Sequence, residues 1–159
     1  MGMGTRIGNG MAAEVDKSMG TEAAGAEEAS EAALPFSPGR LRSFFLAGKA
    51  GRLEALAKDG RADAPYAALV AHPHPKGGGT MHNKVVYHAA KAFSSCGLPV
   101  LRFNFRGAGL SEGAHDDGRG EIEDVQAAVD WLEKEYALPV IFAGFSFGSN
   151  VGLRAFCVD

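Results

Sequence analysis

The sequence predicts an α/β fold, a mostly parallel sheet with helices on both faces, and three observations carry that expectation. Three short, near-continuous apolar runs, at residues 66–71, 98–105 and 139–143, read as strands buried on both sides. Segments with helical spacing alternate with them, so the order is β-α-β-α-β-α. Finally, glycine-rich stretches follow each run, at the strand ends where ligands bind in such sheets.

The elements follow in chain order. The stretches "GRLRSFFLAG" and "GRLEALAKDG" read as two strands of a hairpin turning around Gly48 to Gly51. The Tyr66 to Ala71 run is a strand that stops at His72-Pro73, because proline cannot continue a ladder. After "KGGGTMHN", the residues Val85, Val86, Ala89, Ala90 and Phe93 form an apolar helical face, closed by Gly97. "LPVLRFNF" is the next strand and "RGAGLSEGAHDDGRG" its loop. A helix from about Glu121 to Tyr136 turns Ile122, Val125, Val129 and Leu132 inward and carries acidic residues in its first turn, where they suit the helix dipole. Trp131 is expected to pack on that helix, in the core or half-buried. The last strand ends in "GFSFG", and "SNVGLRAF" continues with Val151, Leu153, Arg154 and Phe156 at helical spacing.

Composition narrows the function classes. With 46% hydrophobic and 22% charged residues, the 159-residue chain is ordinary for a globular protein with one core. Residues 1–34 hold six Asp or Glu against two Lys or Arg, are rich in Gly and Ala, and lack aromatic residues, so they are expected to be a disordered acidic leader. Residues 35–159 form the single folded domain in this reading, with charge nearly balanced. That balance gives no electrostatic footprint for nucleic acid or an anionic membrane. No apolar run approaches the length of a membrane span and no secretory h-region is seen, so the expected location is cytoplasmic. Cys96 and Cys157 make neither a disulfide framework nor a metal cluster and are expected to be buried small hydrophobes.

Three motifs bear on chemistry. "GFSFG", residues 144–148, places Ser146 between Gly144 and Gly148, after a strand and before a helix, the context that a G-x-S-x-G nucleophile elbow requires. In "HPHPKGGGT", a second oxyanion-hole amide could be supplied; Pro73 and Pro75 have no N–H, leaving His74 or one of Lys76 to Gly79. The same segment could be a plain turn into a helix, and His72-x-His74 could pair on a metal, but no further ligands stand at recognisable spacing, so no metal is expected. In "NFRGAGLSEG", Glu112 stands where a dinucleotide fingerprint needs its third glycine, which favours a loop shaped by glycine. His82, His88 and His115 read as ordinary surface or helix residues.

Together "HPHPKGGGTMHNKVV", "LRFNFRGAGLSEG" and "AGFSFGS" resemble a bacterial α/β-hydrolase-fold family of predicted serine hydrolases related to dienelactone hydrolase and small esterases, over about residues 40–156. The resemblance implies Ser146 as nucleophile, the amides of His74 and Phe147 as oxyanion donors, Gly144 and Gly148 as elbow glycines, a small-molecule acyl substrate and no cofactor. In this fold the triad runs Ser, acid, His along the chain. All five histidines precede Ser146 and only Asp159 follows it, so the triad acid and His are absent here, and the expectation is the N-terminal portion of a hydrolase, truncated after the elbow helix. A non-catalytic, ligand- or partner-binding relative of the fold is the alternative.

Overall fold

The computed structural model describes residues 39–157. The acidic leader expected at residues 1–34 lies outside the described residues. Strands β1 (Leu41–Gly48), β2 (Gly51–Lys58), β3 (Ala67–Ala71), β4 (Val100–Phe103) and β5 (Val140–Gly144) form one sheet in the order β1-β2-β4-β3-β5. β1 and β2 pair in register from Leu41 with Lys58 to Gly48 with Gly51, the hairpin the sequence predicts. β2 joins β4 antiparallel, and β3 lies parallel to both β4 and β5. The sheet is therefore mixed, parallel across β4, β3 and β5, with the antiparallel hairpin at one edge.

Helix α1 (Lys84–Ser95) covers one face, and α2 (Gly120–Tyr136) and α3 (Phe147–Phe156) cover the other. β3 must be apolar on both sides because it is sandwiched, and all five of its residues are buried. Under α1, Ala68, Val70 and Val100 meet Val86 and Ala90. Under α2 and α3, Leu69, Leu101, Phe103 and Phe105 meet Val125, Leu132 and Val151. Trp131 is half-buried, its ring 4.7 Å from that of Phe44.

The termini of α1 are closed by local chemistry. The Asn83 side chain accepts from the Val85 N–H at the start. At the end Gly97 takes φ 82°, while the Gly97 and Leu98 amides donate to the carbonyls of Ser94 and Phe93. This is the Schellman closure for which glycine is suited.

Several expectations need correction. Val85 is turned outward, 48% exposed, because Val86 and Ala90 occupy the sheet-facing stripe. Tyr66 precedes β3 and is exposed. Every residue of β5 is only half-buried, since among the described strands β5 pairs with β3 alone. Cys96 and Cys157 are exposed rather than buried; they sit at the C-caps of α1 and α3, past the last turn that faces the sheet. No helix of the described residues is long and apolar enough to cross a membrane.

Candidate active site

Three loops gather where the parallel strands β3, β4 and β5 end. The turn after β5 is the most strained. Ser146 has φ 55° and ψ −113°, and among the described residues only Asp117 and Ala137 join it as non-glycine residues with positive φ. That ψ lies far from the left-handed helical value, so the residue sits in a sparsely populated region that costs about 1–3 kcal/mol and persists only when its surroundings enforce it. Here they do. The Phe145 N–H donates to Ala71 O at 3.1 Å, and the Ser146 carbonyl accepts from the Asn150 N–H at 3.2 Å. The Ser149 hydroxyl closes on the Gly144 carbonyl.

The two flanking glycines are demanded by close approach. A Cβ at Gly144 would lie 2.5 Å from the Ser149 nitrogen, and one at Gly148 would lie 2.6 Å from the His72 carbonyl oxygen. The turn thus brings α3 against the end of β3 and leaves Ser146 exposed at its apex. Phe147 is the first residue of α3, so its N–H has no partner within the helix.

The loop after β3 places two histidines differently. His72 is fully buried; its Nε2 accepts from the Phe105 N–H at 3.0 Å, and its Nδ1 lies 2.6 Å from the Pro73 carbonyl, which makes Nδ1 the protonated nitrogen. Burial pushes its pKa down to about 4, against a smaller upward pull from the Pro73 carbonyl. His72 is therefore a neutral core fastener, with both nitrogens engaged, and cannot pair with His74 on a metal. His74 caps a single 3-10 turn, Pro75–Gly77, its Nδ1 accepting from the Lys76 N–H at 3.1 Å. The Gly77 and Gly79 amides both donate to its carbonyl, and its ring centroid lies 4.7 Å from that of Phe147. Among the described residues, neither the His74 amide nor the Phe147 amide has an acceptor.

The loop after β4 locks the other two in place. Asn104, 1% exposed, accepts from the Met81 N–H at 2.8 Å and donates to Glu54 Oε2 at 2.6 Å, tying the β3 loop to the hairpin. Arg106 binds both carboxylate oxygens of buried Asp124 and also reaches Glu123 at 3.2 Å. Its pKa is raised, chiefly by the hydrogen bond to Asp124. Gly107 and Gly109, with φ of 72° and 54°, shape this loop, and the next helix begins only at Gly120, as a glycine-shaped loop requires.

His115 corrects the sequence reading. It is not an ordinary surface residue; its side chain is 8% exposed, with ring nitrogens 2.8 Å from Glu121 and 3.2 Å from Asp117, neither contact having hydrogen-bond directionality. Its ring lies 4.7 Å from that of His74 and 5.3 Å from that of Phe147. The reason is that Glu121, in the acidic first turn of α2, is fully buried and accepts from the Asp116 and Gly118 amides, folding the loop back toward the turn after β5. The only sequence signal was a histidine in a glycine-rich loop at a strand's C-terminal end. Among the described residues no group of three or more His, Cys, Asp or Glu could hold a metal ion.

Comparison with known proteins accords with this geometry. The chain is similar to an α/β serine hydrolase without a lid from Xanthomonas campestris, with 40% identity and a TM-score of 0.69, covering 76% of this chain and 57% of that one. It is similar to an α/β serine hydrolase homologue from Coxiella burnetii, with 40% identity and a TM-score of 0.68 over 71% of this chain and 55% of that one. An esterase from Pyrococcus furiosus, 22% identical with a TM-score of 0.64 over 73% of this chain and 46% of its own, shares the fold. An uncharacterized protein of Rickettsia prowazekii is 45% identical over 113 residues, 69% of this chain and 47% of that protein. No protein-family model matches the chain. The fold is the α/β-hydrolase fold, and the structural neighbours are α/β serine hydrolases and esterases. The chain spans about half the length of the curated relative it matches.

Proposed function

We propose that the whole protein is a serine hydrolase acting on a carboxylic ester or a related acyl compound, with Ser146 as nucleophile, and that its kinship is with the hydrolases related to dienelactone hydrolase. The observation that carries this is the Ser146 backbone, φ 55° and ψ −113° on an exposed strand-to-helix turn between two glycines that admit no Cβ. Strain of this kind is retained where a reacting group must stand clear of the sheet.

In the proposed step a general base takes the Ser146 hydroxyl proton as Oγ attacks the acyl carbon. The former carbonyl oxygen takes the negative charge and accepts from the Phe147 and His74 amides, a contribution of about 3 kcal/mol per donor. Collapse breaks the bond to the leaving alcohol, which receives the proton from the base, and water then cleaves the acyl-serine by the same route. No cofactor takes part in this scheme. The His and acid of the triad would follow Ser146 in the chain.

The test is hydrolysis of an activated aryl ester, with fluorophosphonate labelling alongside, in the protein carrying a later acid and His. Ser146→Ala should remove labelling and lower turnover by several orders of magnitude; unchanged turnover would overturn the assignment. The 159-residue chain should hydrolyse the ester little faster than buffer does. Turnover that vanishes in its own Ser146→Ala variant would instead make His74 or His115 the base, the two rings the fold sets against Phe147.

A further inference from the structure

On the α1 face, away from the three loops, a cavity of about 430 Å³ opens between α1 and the β1–β2 edge. The cause is geometric. α1 lies over β3 and β4, so among the described residues no helix covers the same face of the antiparallel hairpin. Its floor is apolar, formed by Leu41, Leu56 and Val100, with Ala90 and the Tyr87 ring on the α1 side.

Its charged groups are all of one sign. Lys58, Lys91 and Arg102 line it, and among the described residues no acidic residue does. Arg102 stands opposite Leu56 in the β2–β4 register, which places its guanidinium on this floor. It donates to the Met81 carbonyl at 3.0 Å and lies over the Tyr87 ring at 5.7 Å, but among the described residues no carboxylate comes within ion-pair distance of it or of the two lysines. Burial without a counter-charge lowers its pKa, against a smaller pull from Tyr87. Ser94 also borders the cavity; the residue is 3% exposed, and among the described residues its hydroxyl oxygen is itself buried and has no hydrogen-bond partner. A half-buried guanidinium with donors to spare, beside two lysines, is a group that an anion would satisfy.

We propose that this cavity binds an amphiphilic carboxylate, its head on Arg102 and its acyl chain along Leu41, Leu56 and Val100. Charge complementarity selects the head group, because a neutral ligand would leave the guanidinium uncompensated in apolar surroundings. The apolar floor selects the tail, and the volume lies within the range of small-molecule sites. The site is independent of Ser146, which stands among the loops at the strand ends.

The experiment is calorimetric titration of the full chain with octanoate, with 1-octanol as the neutral control. The wild-type chain should bind octanoate saturably at one site, and bind octanol at least tenfold more weakly. Arg102→Met should weaken octanoate at least tenfold and leave octanol unchanged. Arg102 also holds the Met81 carbonyl, so Lys58→Glu with Lys91→Glu, neither of whose side chains makes a hydrogen bond or ion pair among the described residues, is a second probe; it should weaken octanoate severalfold and leave octanol alone. Absence of saturable octanoate binding, equal affinity for octanol, or octanoate affinity unmoved in the lysine pair would each overturn the proposal.

Discussion

Arg102 and Arg106 stand four residues apart in one strand and its following loop, yet the fold treats them oppositely. Arg106, 7% exposed, is clamped by Asp124 and Glu123, and its pKa is raised. Arg102 is half-buried, meets a carbonyl and an aromatic ring, and its pKa is lowered. The difference lies in the helices above them. α2 presents two successive carboxylates to the loop, whereas α1 presents Tyr87, Ala90 and Lys91 to the strand. Arg106 is thus one half of a closed ion pair that fixes the site loops, while Arg102 keeps donors available for something else. A buried charge is a structural element when its partner is built in and a recognition element when it is not.

The largest effect should come from opening the closed pair. Asp124→Ala leaves Arg106 buried without its bidentate partner and should destabilise the fold by about 3–5 kcal/mol, read from urea unfolding. A loss below about 1 kcal/mol would mean that Glu123 alone satisfies Arg106 and that the contrast is weaker than the geometry indicates.

His72 sharpens the comparison from the neutral side, as a buried group that tolerates no charge. Its folded pKa of about 4 lies below the ordinary value of 6.5, so protons bind the unfolded chain better. Its contribution is fully present above pH 6.5 and is lost as pH falls toward 4, amounting to about 3 kcal/mol at 1.36 kcal/mol per pH unit. Chemical denaturation of wild type and His72→Gln between pH 7 and pH 4 checks this: the variant should lack that slope. Equal slopes would show that other groups govern acid sensitivity here.

Arg102→Met should give the smallest change. The buried Met81 carbonyl loses its donor, but no carboxylate is orphaned, so stability should fall by about 1–2 kcal/mol. A thermal melt lowered as far as that of Asp124→Ala would place Arg102 among the structural charges and remove the contrast.

The local part of this architecture was legible in the residues. Apolar runs gave β3, β4 and β5, and Gly97 marked the close of α1. Two glycines around Ser146 marked the tight turn between β5 and α3, because strand, turn and helix boundaries are set by neighbours in the chain. His115 could not be read this way. Its place beside His74 and Phe147 depends on Glu121 turning inward to hold the loop amides, a choice made by the shape of the loop rather than by any spacing. The exposure of Cys96 and Cys157 likewise follows from where each helix ends over the sheet. The two arginines of "LRFNFR" look alike in sequence, and only the helices that fold over them decide which receives a carboxylate, because charge pairing acts through space between elements that are distant along the chain.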